Sequence, residues 1–143
     1  LTKDSGELLC LYIQKSKYKN IAMGEIATSE RQITLFYHSK SKRAKQTLAY
    51  AQAEGLPIHL IDIMRTPPTG TQIAELSDRL GILVKDLVNQ DHPAYQKKFE
   101  QHEFSSDDWI KMIRHNPEIM KQPIAIRGDT TILIETPTDI IRL

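Results

Sequence analysis

Apolar runs alternate along the chain with polar breaks marked by glycine or proline. Ile33-Thr34-Leu35-Phe36-Tyr37 is apolar and rich in β-formers, which predicts a buried strand. The next run places Ala44, Thr47, Leu48 and Ala51 at i, i+3, i+4, i+7 spacing. It predicts a helix reaching Glu54 and ended by Gly55. Ile58 to Ile63 predicts a second strand. Together these form a β-α-β unit, hence two parallel strands joined by a right-handed crossover. Pro67-Pro68-Thr69-Gly70-Thr71 stops and restarts the chain. The helix after it turns Ile73, Leu76 and Leu80 inward and closes at Gly81. A short helix is expected from Leu83 to Val88, and another from Ala94 to Glu100 after the His92-Pro93 break. Ser105 and Asp108 stand at capping-box spacing, ahead of a helix that buries Trp109, Met112 and Ile113. Asn116-Pro117 interrupts it, and Glu118 to Lys121 adds one turn. Pro123 to Arg127 and Thr130 to Glu135 flank Gly128-Asp129, a β-hairpin pattern. Pro137 to Ile141 closes with a helical turn or two.

Length and composition narrow the class. The chain has 143 residues, 40% of them hydrophobic and 26% charged, enough for one domain with a hydrophobic core. A net charge of +1 argues against a protein built to coat nucleic acid. No apolar run approaches the roughly 20 residues needed to span a bilayer, so no membrane partner is expected. The one cysteine, Cys10, has no internal disulfide partner, which points to a reducing, cytoplasmic home. Residues 1–31 read as a poorly ordered N-terminal extension and residues 32–143 as the domain. Within the extension, Leu8 to Ile13 is short for a signal-peptide core, and Met23-Gly24 is a candidate domain start. Gly24 to Thr28 then fits a loose myristoylation pattern.

Candidate chemistry concentrates between the first strand and the first helix, in Tyr37-His38-Ser39-Lys40-Ser41-Lys42-Arg43-Ala44-Lys45. Backbone N–H groups and the helix dipole attract anions there, and four cations gather at that positive end. Ser39, Ser41, Lys42 and Arg43 are candidate ligands for an anion or an acidic partner. The competing reading is a solvated basic loop that aids only solubility. Direct nucleic-acid binding is not expected, because no aromatic stacking platform surrounds the cluster. His59, His92, His102 and His115 lack metal-ligand spacing, so no metal is expected. Trp109 reads as core, and Arg127 as hairpin surface.

Tyr37-His38 at a strand end, Pro67-Pro68-Thr69, the helix from Asp108-Trp109-Ile110 to His115-Asn116-Pro117, and Gln122-Pro123-Ile124 occur in an order that resembles the arsenate reductase and Spx-like family of glutaredoxin-related proteins. The resemblance covers about Gln32 to Leu143. It implies an α/β, thioredoxin-like fold with a central four-stranded mixed sheet, and a cis peptide before Pro123. It also implies a catalytic cysteine in the loop after strand one. That position falls on Lys42, or on Ser41 if the loop is one residue shorter. The family's oxyanion-holding arginines fall on Asn89, Gln122 and Thr136.

A thiolate can attack arsenic and then leave in thiol exchange. A serine needs a partner base and is not regenerated by glutathione, and a lysine amine forms no disulfide. Cys10 precedes the first strand and is a poor substitute. The expectation is therefore a family member without catalytic residues that binds a protein partner or small anion, with no cofactor. Ser39, Ser41, Lys42, Arg43, Gln122 and Pro123 are its candidate ligands. One alternative is a divergent, glutathione-linked oxidoreductase of the arsenate reductase type. The other is an Spx-like regulator that binds RNA polymerase.

Overall fold

Four of the apolar runs become strands: β1 (Ile33–Tyr37), β2 (Ile58–Asp62), β3 (Ile124–Arg127) and β4 (Thr130–Leu133), in a computed structural model that describes residues 26–98 and 104–143. They form one sheet in the order β2-β1-β3-β4. β1 and β2 are parallel, with Leu35 opposite Leu60. β3 runs antiparallel to β1 and pairs Ala125 with Leu35. β4 returns antiparallel along β3. The expected α/β, thioredoxin-like architecture with a mixed sheet is present.

Alternation along β1 assigns its two faces. Ile33 and Leu35 pack with Ala125, Ala51 and Ile140. Phe36 turns the other way and packs with Ile124, Ile73, Trp109 and Ile113. The period of two thus divides the apolar residues between two core layers. The first layer is closed by helix α1 (Lys42–Ala53) and a C-terminal 3-10 turn (Pro137–Arg142). The second is closed by helices α2 (Gly70–Leu80) and α4 (Ser106–His115). Helix α3 (Pro93–Lys98) supplies Tyr95, whose ring stacks on Trp109 at 6.1 Å.

Local signals end these elements where their chemistry requires. Ser105 caps α4 through a capping box with Asp108, as the spacing predicts. Thr69 does the same for α2 with Gln72. Gly81 closes α2 in the left-handed region, at φ 71°, where a side chain would be strained. The short helices expected at 83–88 and 118–121 are 3-10 turns over Val84–Leu87 and Pro117–Ile119. β2 is an edge strand with His59 and Leu60 exposed, so it is less buried than its apolar run suggests.

Residues 26–31, assigned to the extension on sequence grounds, pack against the domain. Ile26 is buried in the layer that holds Phe36, and its N–H donates to Glu75 at 3.2 Å. Expectations concerning Cys10, Leu8 to Ile13, Met23-Gly24, His102 and the end of the 94–100 helix lie outside the described residues.

Candidate functional site

The loop from Tyr37 to Ser41 leaves the C-terminal end of β1 and turns sharply into α1. Its turn is held by its own polar groups. The Ser41 N–H donates to the His38 carbonyl at 2.9 Å, and the Lys40 N–H donates to His38 Nδ1 at 3.1 Å. Ser41 is the N-cap of α1, and its Oγ accepts from the Ala44 N–H at 3.2 Å. That bond satisfies one of the donors a helix leaves orphaned at its start. Below it, Thr47 is buried and its hydroxyl donates to the Arg43 carbonyl at 2.8 Å.

A second segment meets this loop from across the sheet. The Gln122–Pro123 peptide is cis, as the resemblance implied, and Pro123 is buried. Gln122 Oε1 accepts from the His38 N–H at 3.1 Å. This bond joins positions 84 residues apart and ties the loop to the entry of β3. The chain before β3 is itself fixed by Val88, which bridges Met120. The Asn89 N–H donates to the Ile119 carbonyl at 2.7 Å, and the Lys121 N–H to the Leu87 carbonyl at 2.8 Å.

Between these walls lies a cleft of about 930 Å³, near the top of the roughly 300–1,000 Å³ common for small-molecule sites. Of the expected ligands, Ser41, Arg43 and Gln122 line it. Ser39, Lys42 and Pro123 are not among its lining residues. Ser39 instead faces Asp62 at the end of β2. Burial pushes the Asp62 carboxyl up, but the Met64 N–H, the Ser39 hydroxyl, the nearby His38 ring and the Ser39 N–H together hold it below its ordinary 3.8. Lys42 and Lys45 are exposed on the first turn of α1, and Pro123 is buried at the entry of β3.

Lys40 belongs to the cationic loop read from the sequence, but several other lining residues were not expected there. Lys40 and Lys121 add to Arg43, while Asp91, Glu118 and Glu135 bring three carboxylates. With three charges of each sign, the lining is balanced, not basic. An electropositive pocket was the expectation from the loop alone, but the carboxylates arrive from segments remote in sequence. Among the described residues, no group of three histidine, cysteine or acidic side chains is placed to hold a metal ion.

No protein-family model matches the chain. It is 23% identical over 95 residues to the arsenate reductase of Escherichia coli (strain K12), a match covering 66% of this chain and 67% of that protein. The arsenate reductase of Shigella flexneri gives the same figures. Among solved structures, the arsenate reductase from Vibrio cholerae superimposes with a TM-score of 0.72 at 16% identity, covering 80% of this chain and 98% of that one.

The chain shares its fold with solved arsenate reductases.

The positions that the resemblance assigns to the family's arginines take on a spatial meaning. Asn89, Gln122 and Thr136 come from three separate segments, and all three line the cleft beside Ser41 and Arg43. Thr136 is engaged elsewhere, since its hydroxyl donates to Asp139 at 3.1 Å. The chain thus has a cleft at this place, lined by two neutral amides and a hydroxyl where the resemblance marks cations. Its one cysteine, Cys10, lies outside the described residues. Among those residues, no helix is long and apolar enough to cross a membrane.

Proposed function

We propose that this arsenate reductase-like protein works by binding and not by reducing arsenate, with the cleft at the start of α1 as the place where a protein partner or small anion docks. The observation that carries this reading is the composition of the cleft. Ser41, Arg43, Asn89, Gln122 and Thr136 converge on one space, and no thiol lies among them. Arsenate reduction needs a group that bonds to arsenic and is then released by thiol exchange. Ser41 Oγ is instead committed to capping α1, and Lys42 is exposed beyond the lining. Neither side chain offers that exchange.

A second reading is favoured by the 23% identity to arsenate reductases. On this reading the protein is a divergent oxidoreductase with glutathione supplying the thiol. The two readings separate in one assay: arsenite formation by the full chain in the presence of arsenate and glutathione. Binding without catalysis predicts a rate equal to the protein-free blank. Saturable turnover that disappears in Ser41→Ala or Lys42→Ala would establish the oxidoreductase reading instead.

A further inference from the structure

The amides at Asn89 and Gln122 define what the cleft can recognise. Each has its oxygen occupied. Gln122 Oε1 accepts from the His38 N–H at 3.1 Å, and Asn89 Oδ1 accepts from the Asp91 N–H at 3.1 Å. A backbone N–H must meet an oxygen, so these bonds fix which way each amide points. The NH₂ group of each is left without a partner among the described residues, and both side chains are half-buried in the cleft lining. Beside them the floor is apolar, with Met120 buried and Leu133 half-buried. Neutral donors next to apolar surface suit a neutral acceptor, such as an amide carbonyl. A dianion would need charge-assisted donors there to offset its desolvation.

The rim carries the opposite character. Lys40, Arg43, Asp91, Lys121 and Glu135 are exposed, and Glu118 is half-buried. None of the six makes an ion pair with another described residue. Three cations and three carboxylates on one rim repel a purely acidic ligand about as much as they attract it. They complement one that carries both signs. Exposed charges of this kind set register and partner choice more than affinity. An apolar floor within a polar, charged rim is the anatomy of a protein-recognition surface.

We infer that the cleft takes an extended polypeptide segment of mixed charge from a protein partner. Its backbone carbonyls meet the NH₂ groups of Asn89 and Gln122, an acidic side chain meets Lys40 and Arg43, and a basic one meets Asp91 and Glu118. This rests on the binding reading above and selects the protein partner over the anion. A single segment in a cleft this size buries less than a standard interface, so the complex is weak and transient.

Calorimetric titration of the full chain tests it with three probes: sulfate, the capped peptide acetyl-Glu-Ala-Ala-Lys-amide, and the capped all-acidic acetyl-Glu-Glu-Glu-Glu-amide. The mixed peptide is expected to bind at least about fivefold tighter than the acidic one, a gap of about 1 kcal/mol. Sulfate is expected to show no saturation over the same range. Gln122→Glu and Asn89→Asp keep the oxygen that each backbone N–H needs, exchange the free donor for a second acceptor oxygen and add one negative charge, which an uncharged control peptide, acetyl-Ala-Ala-Ala-Ala-amide, separates from the loss of the donor. Each is expected to weaken the mixed peptide about tenfold, the loss expected when a buried donor–acceptor bond is missing. Arg43→Gln, which keeps the helix cap, should weaken both peptides, the all-acidic one at least as much as the mixed one, and Glu118→Gln should narrow the gap between them. Saturable sulfate binding without peptide binding would overturn the inference and leave the small-anion form of the proposed function standing. Equal affinity for both peptides, or no saturation by any probe, would overturn it as well. Arsenate turnover would remove the binding reading beneath it.

Discussion

The two ends of β1 treat their polar groups in opposite ways. At its start, several polar groups near residues 26–31 are engaged in holding the fold. Ile26 N–H donates to Glu75, and Glu75 pairs with Arg79 at 2.8 Å. Arg79 reaches the Gly128 carbonyl at 3.4 Å. The Gly128 N–H donates to the Ser29 carbonyl at 2.9 Å, and Arg127 Nε to the Glu30 carbonyl at 2.9 Å. At the other end of the strand, six charged side chains ring a cleft without pairing among the described residues. Polar groups bonded within the chain favour folding, whereas charges left free in a cleft contribute little to it and remain available to a ligand.

If this contrast is real, substitutions at the two ends should separate in their effect on stability. The largest loss is expected from Glu75→Ala. It takes away the acceptor of the Ile26 N–H and leaves the Arg79 guanidinium with the Gly128 carbonyl but no carboxylate, and should cost about 1–3 kcal/mol in urea unfolding. Gly128→Ala follows at about 1–2 kcal/mol, because φ 57° disfavours a side chain and a new Cβ would run into the Glu30 carboxylate. At the cleft end, Ser41→Ala should cost about 1 kcal/mol through loss of the α1 cap, and Ser41→Asp should restore most of it. Such a cost comes from capping the helix, so it leaves the cleft charges untested.

Asp62 sharpens the comparison through pH. Its carboxyl titrates below the ordinary 3.8 in the folded protein. Its contribution is therefore fully present above that value and is lost as pH falls through the lower folded value. Asp62→Asn should make the acid limb of the stability profile shallower below about pH 3.8 and leave the neutral region little changed. The limb should persist in part. The Ser105 N–H holds Asp108 low, and the Thr136 and Glu135 N–H groups hold Asp139 low.

The smallest effect belongs to the cleft rim itself. Lys40→Ala and Glu118→Ala should each change stability by no more than about 0.5 kcal/mol, as expected for surface groups without partners. A cost above about 1 kcal/mol for either would mean that the rim charges hold the fold, and the contrast between the ends would collapse.

The fold was largely readable because its signals are local. The strand run at Ile33 to Tyr37, the capping spacing of Ser105 and Asp108, Gly81 and the Gly128 turn each act within a few residues. The boundary before Gln32 was not readable. Ile26 joins the core layer of Phe36 and Ile73, and its N–H bonds to Glu75, 49 residues away. The cleft was half readable. Ser41, Arg43 and Gln122 follow from the loop and from the family pattern. The carboxylates of Asp91, Glu118 and Glu135 do not, because nothing in their neighbourhoods announces that the topology will bring them opposite Arg43. Ser39 looked equivalent to Ser41 in sequence. Only the position of Asp62 beside it, set by the parallel register of Tyr37 and Asp62, assigns it to holding the loop.

The most direct measurement is a two-dimensional amide spectrum of the full chain, recorded as acetyl-Glu-Ala-Ala-Lys-amide is added. Saturable shifts are expected at Lys40, Ser41, Arg43, Asn89, Lys121 and Gln122, with Ile26, Ser29, Arg79 and Gly128 unmoved. No shift at any residue, or shifts largest around Gly128, would contradict a ligand held in the cleft.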